Sequence, residues 1–238
     1  MNIVAIASQK GGAGKSTFAL NLAALADAQG KPAVLVDTDA QGSLLVWHRL
    51  RGKATPLLAS CDGSGLGAVL DTARRHGGVE WVFIDGPPQN NDGVAEMMRL
   101  ATLVVIPTRP GLFDLASVAA TIDLAKRLKR PFFVALNAVP PKRGITEPPA
   151  VIAARRAIAD LGAPVWRGAV AQRAVHMQAL ASGKSVTELE PAGPAADEMR
   201  LLWRDVGNVA RAMAGFDSGR IDNERAAPEP QRRVRYQA

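Results

Sequence analysis

The stretch SQKGGAGKST (8–17) reads as a phosphate-binding loop that departs from the usual pattern at one place. The pattern G-x-x-x-x-G-K-[ST] asks for glycine five positions before Gly14, and Gln9 stands there instead. The loop also carries a second lysine, Lys10, ahead of Lys15. It follows an apolar run, NIVAIAS (2–8), and opens a helical pattern over 16–29. That strand–loop–helix order is the setting such a loop requires. Gly11, Gly12 and Gly14, with Ala13 among them, let backbone N–H groups turn inward toward phosphate oxygens. The helix N-terminus adds partial positive charge. Lys15 is placed to reach the β- and γ-phosphates of a nucleotide, and the Ser16 hydroxyl to ligate Mg2+.

Outward from this loop, short runs rich in Val and Ile alternate with longer helical patterns. Strands are expected at 2–8, 32–37, 55–60, 79–85, 102–107, 131–137 and 164–170, and helices near 16–29, 65–76, 93–100, 114–129, 148–161 and 194–213. Several strand runs are apolar on both faces, as buried parallel strands are. The alternating order predicts a single α/β domain, a mostly parallel twisted sheet with helices on both faces. That domain is expected over 1–214, followed by a polar, charged and disordered tail over 215–238.

Composition narrows the classes. With 47% hydrophobic residues among 238, the chain has ample core material. The formal charge of +7 favours an anionic partner, and residues 99–156 hold most of the surplus, with 10 basic and 3 acidic side chains. A single cysteine, Cys61, excludes an internal disulfide framework and any four-thiolate metal site within one chain. No apolar run reaches the length of a membrane span, so a cytoplasmic protein is expected. His48, His76 and His176 are too dispersed to form a metal site.

Two acidic sites follow later strands. VDTDAQGS (36–43) carries Asp37 and Asp39, and VFIDGPP (82–88) carries Asp85. A carboxylate at a strand tip beside a phosphate loop can hold a Mg2+-bound water, whereas a lone strand-end Asp is also an ordinary cap or turn residue. All three sites should converge at the carboxyl edge of the sheet, where open α/β sheets bind ligands.

KGGAGKST, DTDAQGS and FIDGPP together resemble the ParA/MinD family of P-loop ATPases with a deviant phosphate loop. VVIPTRPGLFDL (104–115), VALNAVPP (134–141) and RAVHMQALASGKSV (173–186) extend the resemblance to about residues 1–213, closest to short ParA-type members without an N-terminal DNA-binding extension. The resemblance implies a P-loop NTPase fold, ATP and Mg2+ as ligands, and weak intrinsic ATP hydrolysis. It also implies a homodimer in the ATP state, in which Lys10 reaches the partner's nucleotide; the plainer reading leaves Lys10 near its own phosphates. By the same resemblance Lys15 is the in-cis phosphate lysine, Ser16 the Mg2+ ligand and Thr17 an α-phosphate contact. Asp39 positions the attacking water, Asp37 and Asp85 support the metal, and Asn137 reads adenine. One departure is Ala40, where the family usually has proline in D-x-D-P-Q-G. Proline would pre-set that loop, so alanine bears on the hydrolysis rate rather than on binding.

The family also implies non-specific DNA, a ParB-type adaptor and a nucleoid-associated ATP state. On the last helix Arg200, Arg204 and Arg211 fall at about 0°, 40° and 20° of an ideal wheel, opposite Leu202, Val206, Val209 and Met213. Such a stripe fits DNA phosphates, and a solvated helix face has the same pattern. Arg173 is a second candidate, and the surplus at Lys126, Arg127, Lys129, Arg130, Lys142 and Arg143 a third. The scattered apolar residues of the tail do not make a membrane-binding helix, so no membrane partner is expected. A MinD-like regulator on a membrane or protein surface, and an accessory ATPase of DNA transfer or secretion, remain as alternatives. An iron-protein role lacks cluster cysteines, and Lys10 with DTDAQGS argues against a ligase of the dethiobiotin synthetase type.

Overall fold

Short apolar runs, buried on both faces, set the architecture. A computed structural model of the chain describes residues 1–87, 92–142, 144 and 146–225. Strands β1 (Asn2–Ile6), β2 (Ala33–Asp37), β3 (Leu57–Ser60), β4 (Trp81–Asp85), β5 (Leu103–Thr108) and β6 (Phe132–Leu136) form one sheet. It has six strands in the order β3-β2-β4-β1-β5-β6, and every pairing is parallel. β1 therefore lies between β4 and β5, and all carboxyl ends meet at one edge. In register, Ile6 stands opposite Asp85 and Val105, and Asp37 stands opposite Asp85.

The helices are α1 (Lys15–Ala28), α2 (Ser43–Arg51), α3 (Leu66–His76), α4 (Asp92–Leu100), α5 (Leu112–Arg127), α6 (Pro149–Asp160), α7 (Ala174–Ala181), α8 (Val186–Leu189) and α9 (Pro194–Arg225). They cover both faces of the sheet, the arrangement of a P-loop NTPase fold. One core gathers Phe18, Leu22, Trp47, Val175 and Leu202 from α1, α2, α7 and α9. The other gathers Leu70, Met97, Ile122 and Ile158 from α3, α4, α5 and α6. Trp81 and Trp203 are both 5% exposed and meet edge to face at 4.7 Å.

Three expectations need correction. The run 164–170 is no seventh strand; it meets β6 at the isolated bridge Val134↔Val165 and at the Val170 N–H, which donates to the Leu136 carbonyl at 2.9 Å, with a second bridge, Val139↔Ala171, beyond both segments. Its middle bows away because Arg155 of α6 takes the carbonyls of Trp166, Arg167 and Gly168 at 2.6, 2.8 and 3.0 Å. Second, α7 and α8 were not anticipated, and neither was α2. Its inner face is only Leu44, Trp47 and Arg51, while Leu45, Val46 and Leu50 are exposed, so its sequence lacks the amphipathic period of a surface helix. Third, the last helix continues past 213 to Arg225, into the segment expected as tail, and 226–238 lie outside the described residues.

An ion cluster clamps α2 to the other end of its face. Arg51, with a side chain 3% exposed, forks onto Glu188 of α8 at 2.7 and 2.9 Å, and Lys53 adds a contact at 3.0 Å. The Ser185 N–H donates to the same carboxylate at 2.8 Å. Burial pushes the Glu188 pKa up, but the Arg51 fork, the Ser185 N–H and Lys53 outweigh it and hold the carboxyl at about 2. A carboxyl lowered on folding stabilises the protein above its ordinary pKa of 4.5, and that contribution fades as pH falls toward about 2. Glu188→Gln should cost about 2 kcal/mol at pH 7, because the nearly buried Arg51 loses its counter-charge. In urea denaturation the gap between wild type and variant should close below pH 4.5. A gap that does not shrink with acid would show that the charge does not stabilise.

Candidate nucleotide-binding site

The site is built where β1, β2 and β4 end. After Ile6 the chain is pinned by Ala7 N–H to the Val105 carbonyl at 3.0 Å, then turns through Gly12 (φ 72°) and Gly14 (φ 104°) into α1. Both glycines are in the left-handed region that side chains disfavour. A Cβ on Gly14 would also overlap the Asn137 amide. Gly11 and Gly12 are exposed, while Lys15, the first residue of α1, is 7% exposed. Burial lowers the Lys15 pKa, and the charges of Asp85 and Asp39 oppose that shift. Lys10 is exposed at the lip of the loop, with no ion pair to any described residue. The two lysines thus face differently, one inward at the helix start and one outward.

The acids are unlike one another. Asp37 is fully buried and accepts from Asp39 N–H and Leu44 N–H, both at 3.1 Å, which ties the loop and caps α2. Burial raises its pKa, and these backbone donors partly offset the rise. Asp39 is half-buried and accepts from Gln41 N–H at 3.0 Å. Asp85 is also fully buried, yet neither carboxylate oxygen has a hydrogen-bond partner. Burial drives its pKa up to about 7; the nearby Ser16 hydroxyl and Lys15 pull it down, and Asp37 and Asp39 push it up. Thr38 fastens the two acidic segments, its hydroxyl donating to the Asp85 carbonyl at 2.7 Å.

Unpaired buried carboxylate oxygens beside a hydroxyl are hard donors suited to Mg2+. Among the described residues no three His, Cys, Asp or Glu side chains are grouped to hold a metal alone. Mg2+ fits that arrangement, since it is usually held by one or two carboxylates together with substrate phosphates. Ser16 and Asp85 fit as its protein partners, with Asp37 beside them.

Asn137, one residue past β6, donates its amide nitrogen to the Ala13 carbonyl at 2.7 Å and is 8% exposed. The donor half of that amide supports the loop, so a base contact would fall to Oδ1. Gly86 lies as close to the loop strand; a Cβ there would meet the Ile6 carbonyl at 3.1 Å. Neither contact was legible beforehand, because both depend on which strands become neighbours.

The arginines are elsewhere. Arg204 and Arg211 are exposed on α9, as the wheel places them, and Arg200 is half-buried against Asp197 at 2.9 Å. Arg204 meets Asp205 at 3.1 Å and Arg211 meets the Asn208 side chain at 2.7 Å. Arg173 is bound to Glu198 at 2.7 Å with its side chain 25% exposed, so it is the least available of the four.

Residues 4–186 match the CobQ/CobB/MinD/ParA nucleotide-binding domain. The chain belongs to the ParA/MinD family. Its relatives include two proteins named for maintenance of carboxysome distribution. That of Halothiobacillus neapolitanus is 28% identical over 214 residues, covering 85% of this chain and 95% of its own. That of Gloeobacter kilaueensis is 31% identical over 188 residues, covering 78% and 84%. In fold, apo McdA of Cyanothece superposes with a TM-score of 0.73 at 17% identity, over 88% of this chain and 99% of that one. The match to the ParA/MinD family spans the phosphate loop, both acidic segments and Asn137.

An unpaired buried charge costs stability, and a cation in the site would relieve that cost. At pH 8, Asp85→Asn should raise the stability of the nucleotide-free protein by about 1–2 kcal/mol while weakening Mg2+-dependent nucleotide binding. Urea denaturation and a Mg2+ titration check the two effects; a variant less stable than wild type would mean that Asp85 is paired.

Proposed function

We propose that this protein is an ATP-dependent switch that dimerises on ATP and positions DNA or a large protein assembly along non-specific DNA. The coarse frame is that of a ParA/MinD-type ATPase. What carries the finer reading is Lys10. It stands exposed and unpaired beside a loop whose phosphate position already has an inward lysine, Lys15. A cation set outward at the lip is available to a nucleotide held by a second copy, much as a finger arginine acts in trans. The γ-phosphate then gives the dimer its differential affinity, and its loss removes it.

When bound, Mg2+ neutralises the phosphate charge and lowers the cost of its transfer. The loop N–H groups and Lys15 bind and orient the phosphates. Asp39, on a loop pinned at Asp37 and Thr38, holds the attacking water through its carboxylate. Ala40 is exposed in that loop, leaving its backbone freer than proline would. Asn137 supports the loop and offers Oδ1 to the base. Arg204 and Arg211 supply an exposed cationic face for DNA phosphates, and a ParB-type adaptor would speed hydrolysis and release. The carboxysome-distribution relatives favour a protein assembly as cargo. Among the described residues no helix is long and apolar enough to cross a membrane.

Three substitutions separate the roles. Lys15→Ala should abolish nucleotide binding, Lys10→Ala should keep binding but lose the ATP dimer, and Asp39→Ala should dimerise with hydrolysis down at least about tenfold. Equilibrium binding, light scattering and phosphate release measure them. Lys10→Ala dimers of normal mass would refute the in-trans role.

The DNA arm is read in a salt series on a random duplex with ATP, ADP and no nucleotide. Arg204→Glu with Arg211→Glu should lose ATP-dependent binding about tenfold or more and flatten its salt slope. An unchanged slope would remove α9 as the DNA face.

A further inference from the structure

β5 lies beside β1, so the chain that leaves β5 passes the phosphate loop. Its first residue off the strand is Arg109. The backbone here is fixed on both sides. Thr108, 2% exposed, accepts from Asn137 N–H at 2.8 Å through its carbonyl, the same residue whose side chain holds Ala13. Pro110 then disfavours helix at Arg109, and α5 begins beyond Gly111, whose carbonyl accepts from Asp114 and Leu115. From this fixed stem the exposed Arg109 side chain reaches back over the loop. A Cβ built on Gly12 would lie 3.6 Å from a terminal guanidinium nitrogen, an ordinary van der Waals contact.

What distinguishes Arg109 from the chain's other arginines without a carboxylate partner, such as Arg211, is its place beside the phosphate loop. Arg51, Arg155 and Arg173 are each paired with a glutamate, and the more exposed Arg74, Arg99, Arg200 and Arg204 each meet an aspartate or glutamate. Arg109 has no carboxylate partner among the described residues. Its guanidinium lies beside Gly12, in a loop that leads into the positive N-terminal end of α1 and carries two lysines. A guanidinium there gains nothing from the protein and a great deal from an anion. Its planar fork is also the side-chain geometry best matched to phosphate oxygens.

We infer that Arg109 is a nucleotide-binding residue of this site, closing over the outer side of the loop at Gly12 and bonding phosphate oxygens of the bound nucleotide. The inference rests on the nucleotide-binding reading and adds a cation from β5 to the two from the loop. It accounts for an exposed glycine at position 12, where a larger residue would stand between the guanidinium and the phosphates.

The test uses the full chain and a slowly hydrolysed ATP analogue with Mg2+. Arg109→Gln keeps most of the reach and removes the charge; it should weaken binding about tenfold, as loss of a charge-assisted contact does. Arg109→Lys should recover most of the loss. The glutamine variant should also show a shallower dependence of affinity on salt, which a merely structural role would not produce. Nucleotide-free melting temperatures should match wild type for both, because the side chain is exposed. Glutamine binding like wild type, or lysine binding as weakly as glutamine, overturns the inference while Lys15→Ala still loses binding. Wild type that binds no nucleotide would overturn the nucleotide reading itself.

Discussion

Asp37 and Asp85 end neighbouring parallel strands in register, both fully buried, and the rest of the site depends on how that pair of charges is met. Adjacent strands are about 4.8 Å apart, and two like charges about 5 Å apart repel by on the order of 3 kcal/mol at an effective dielectric near 20. The fold answers the two carboxylates differently. Asp37 spends its oxygens on backbone N–H groups and fixes a loop. Asp85 has no hydrogen-bond partner and relies on Lys15 and the nearby Ser16 hydroxyl. One acid shapes the site and the other keeps a cation demand in it.

The shaping acid reaches far. Asp37 caps α2, and α2 is held at its other end by the Trp47 indole on the Lys184 carbonyl at 3.1 Å and by the Arg51–Glu188 fork. The turn that receives it has no slack, since a Cβ on Gly183 would overlap the Arg51 backbone. From there the Val186 N–H donates to Asn21 at 2.9 Å, and Asn21 donates to the Thr17 carbonyl at 2.8 Å, back in the helix that follows the phosphate loop. The acidic loop and the phosphate loop are thus joined twice, directly at the strand ends and through a ring of α2, α8 and α1. Exposed Leu45, Val46 and Leu50 ride on the helix in the middle of that ring.

Sequence made the site legible where local chemistry decides the outcome. Glycines beside a lysine at a strand-to-helix turn, and aspartates at the ends of apolar strands, carry their meaning without a partner. The mostly parallel sheet and the two helix layers followed from the same alternation. Contacts across long sequence separations were not legible: Asn137 against Ala13, Gly86 against Ile6 and Arg109 above Gly12 all need the strand order first. The run 164–170 misled because its apolar residues do face the core, as Trp166 and Val170 show, while Arg155 claims the carbonyls a strand would have used. In α2 the error was the reverse, an apolar outer face that hides the helical period.

The chain's overall charge of +7 explains little about this site. Much of the surplus follows β5, and Lys126, Lys129 and Arg130 lie where α5 runs into β6, at the amino edge of the sheet and away from the phosphate loop. Lys126 is occupied there, donating to the Leu161 carbonyl at 2.6 Å just past α6. At the carboxyl edge, Lys10, Lys15 and Arg109 stand against Asp37, Asp39 and Asp85, a formally even balance. The two signs are separated, with cations and N–H groups around the loop and acids at the ends of β2 and β4. A uniformly positive pocket would hold any polyanion. A divided one suits a ligand that is itself divided, with phosphate oxygens on one side and a divalent cation on the other, so the placement of charges says more about the site than the net charge does.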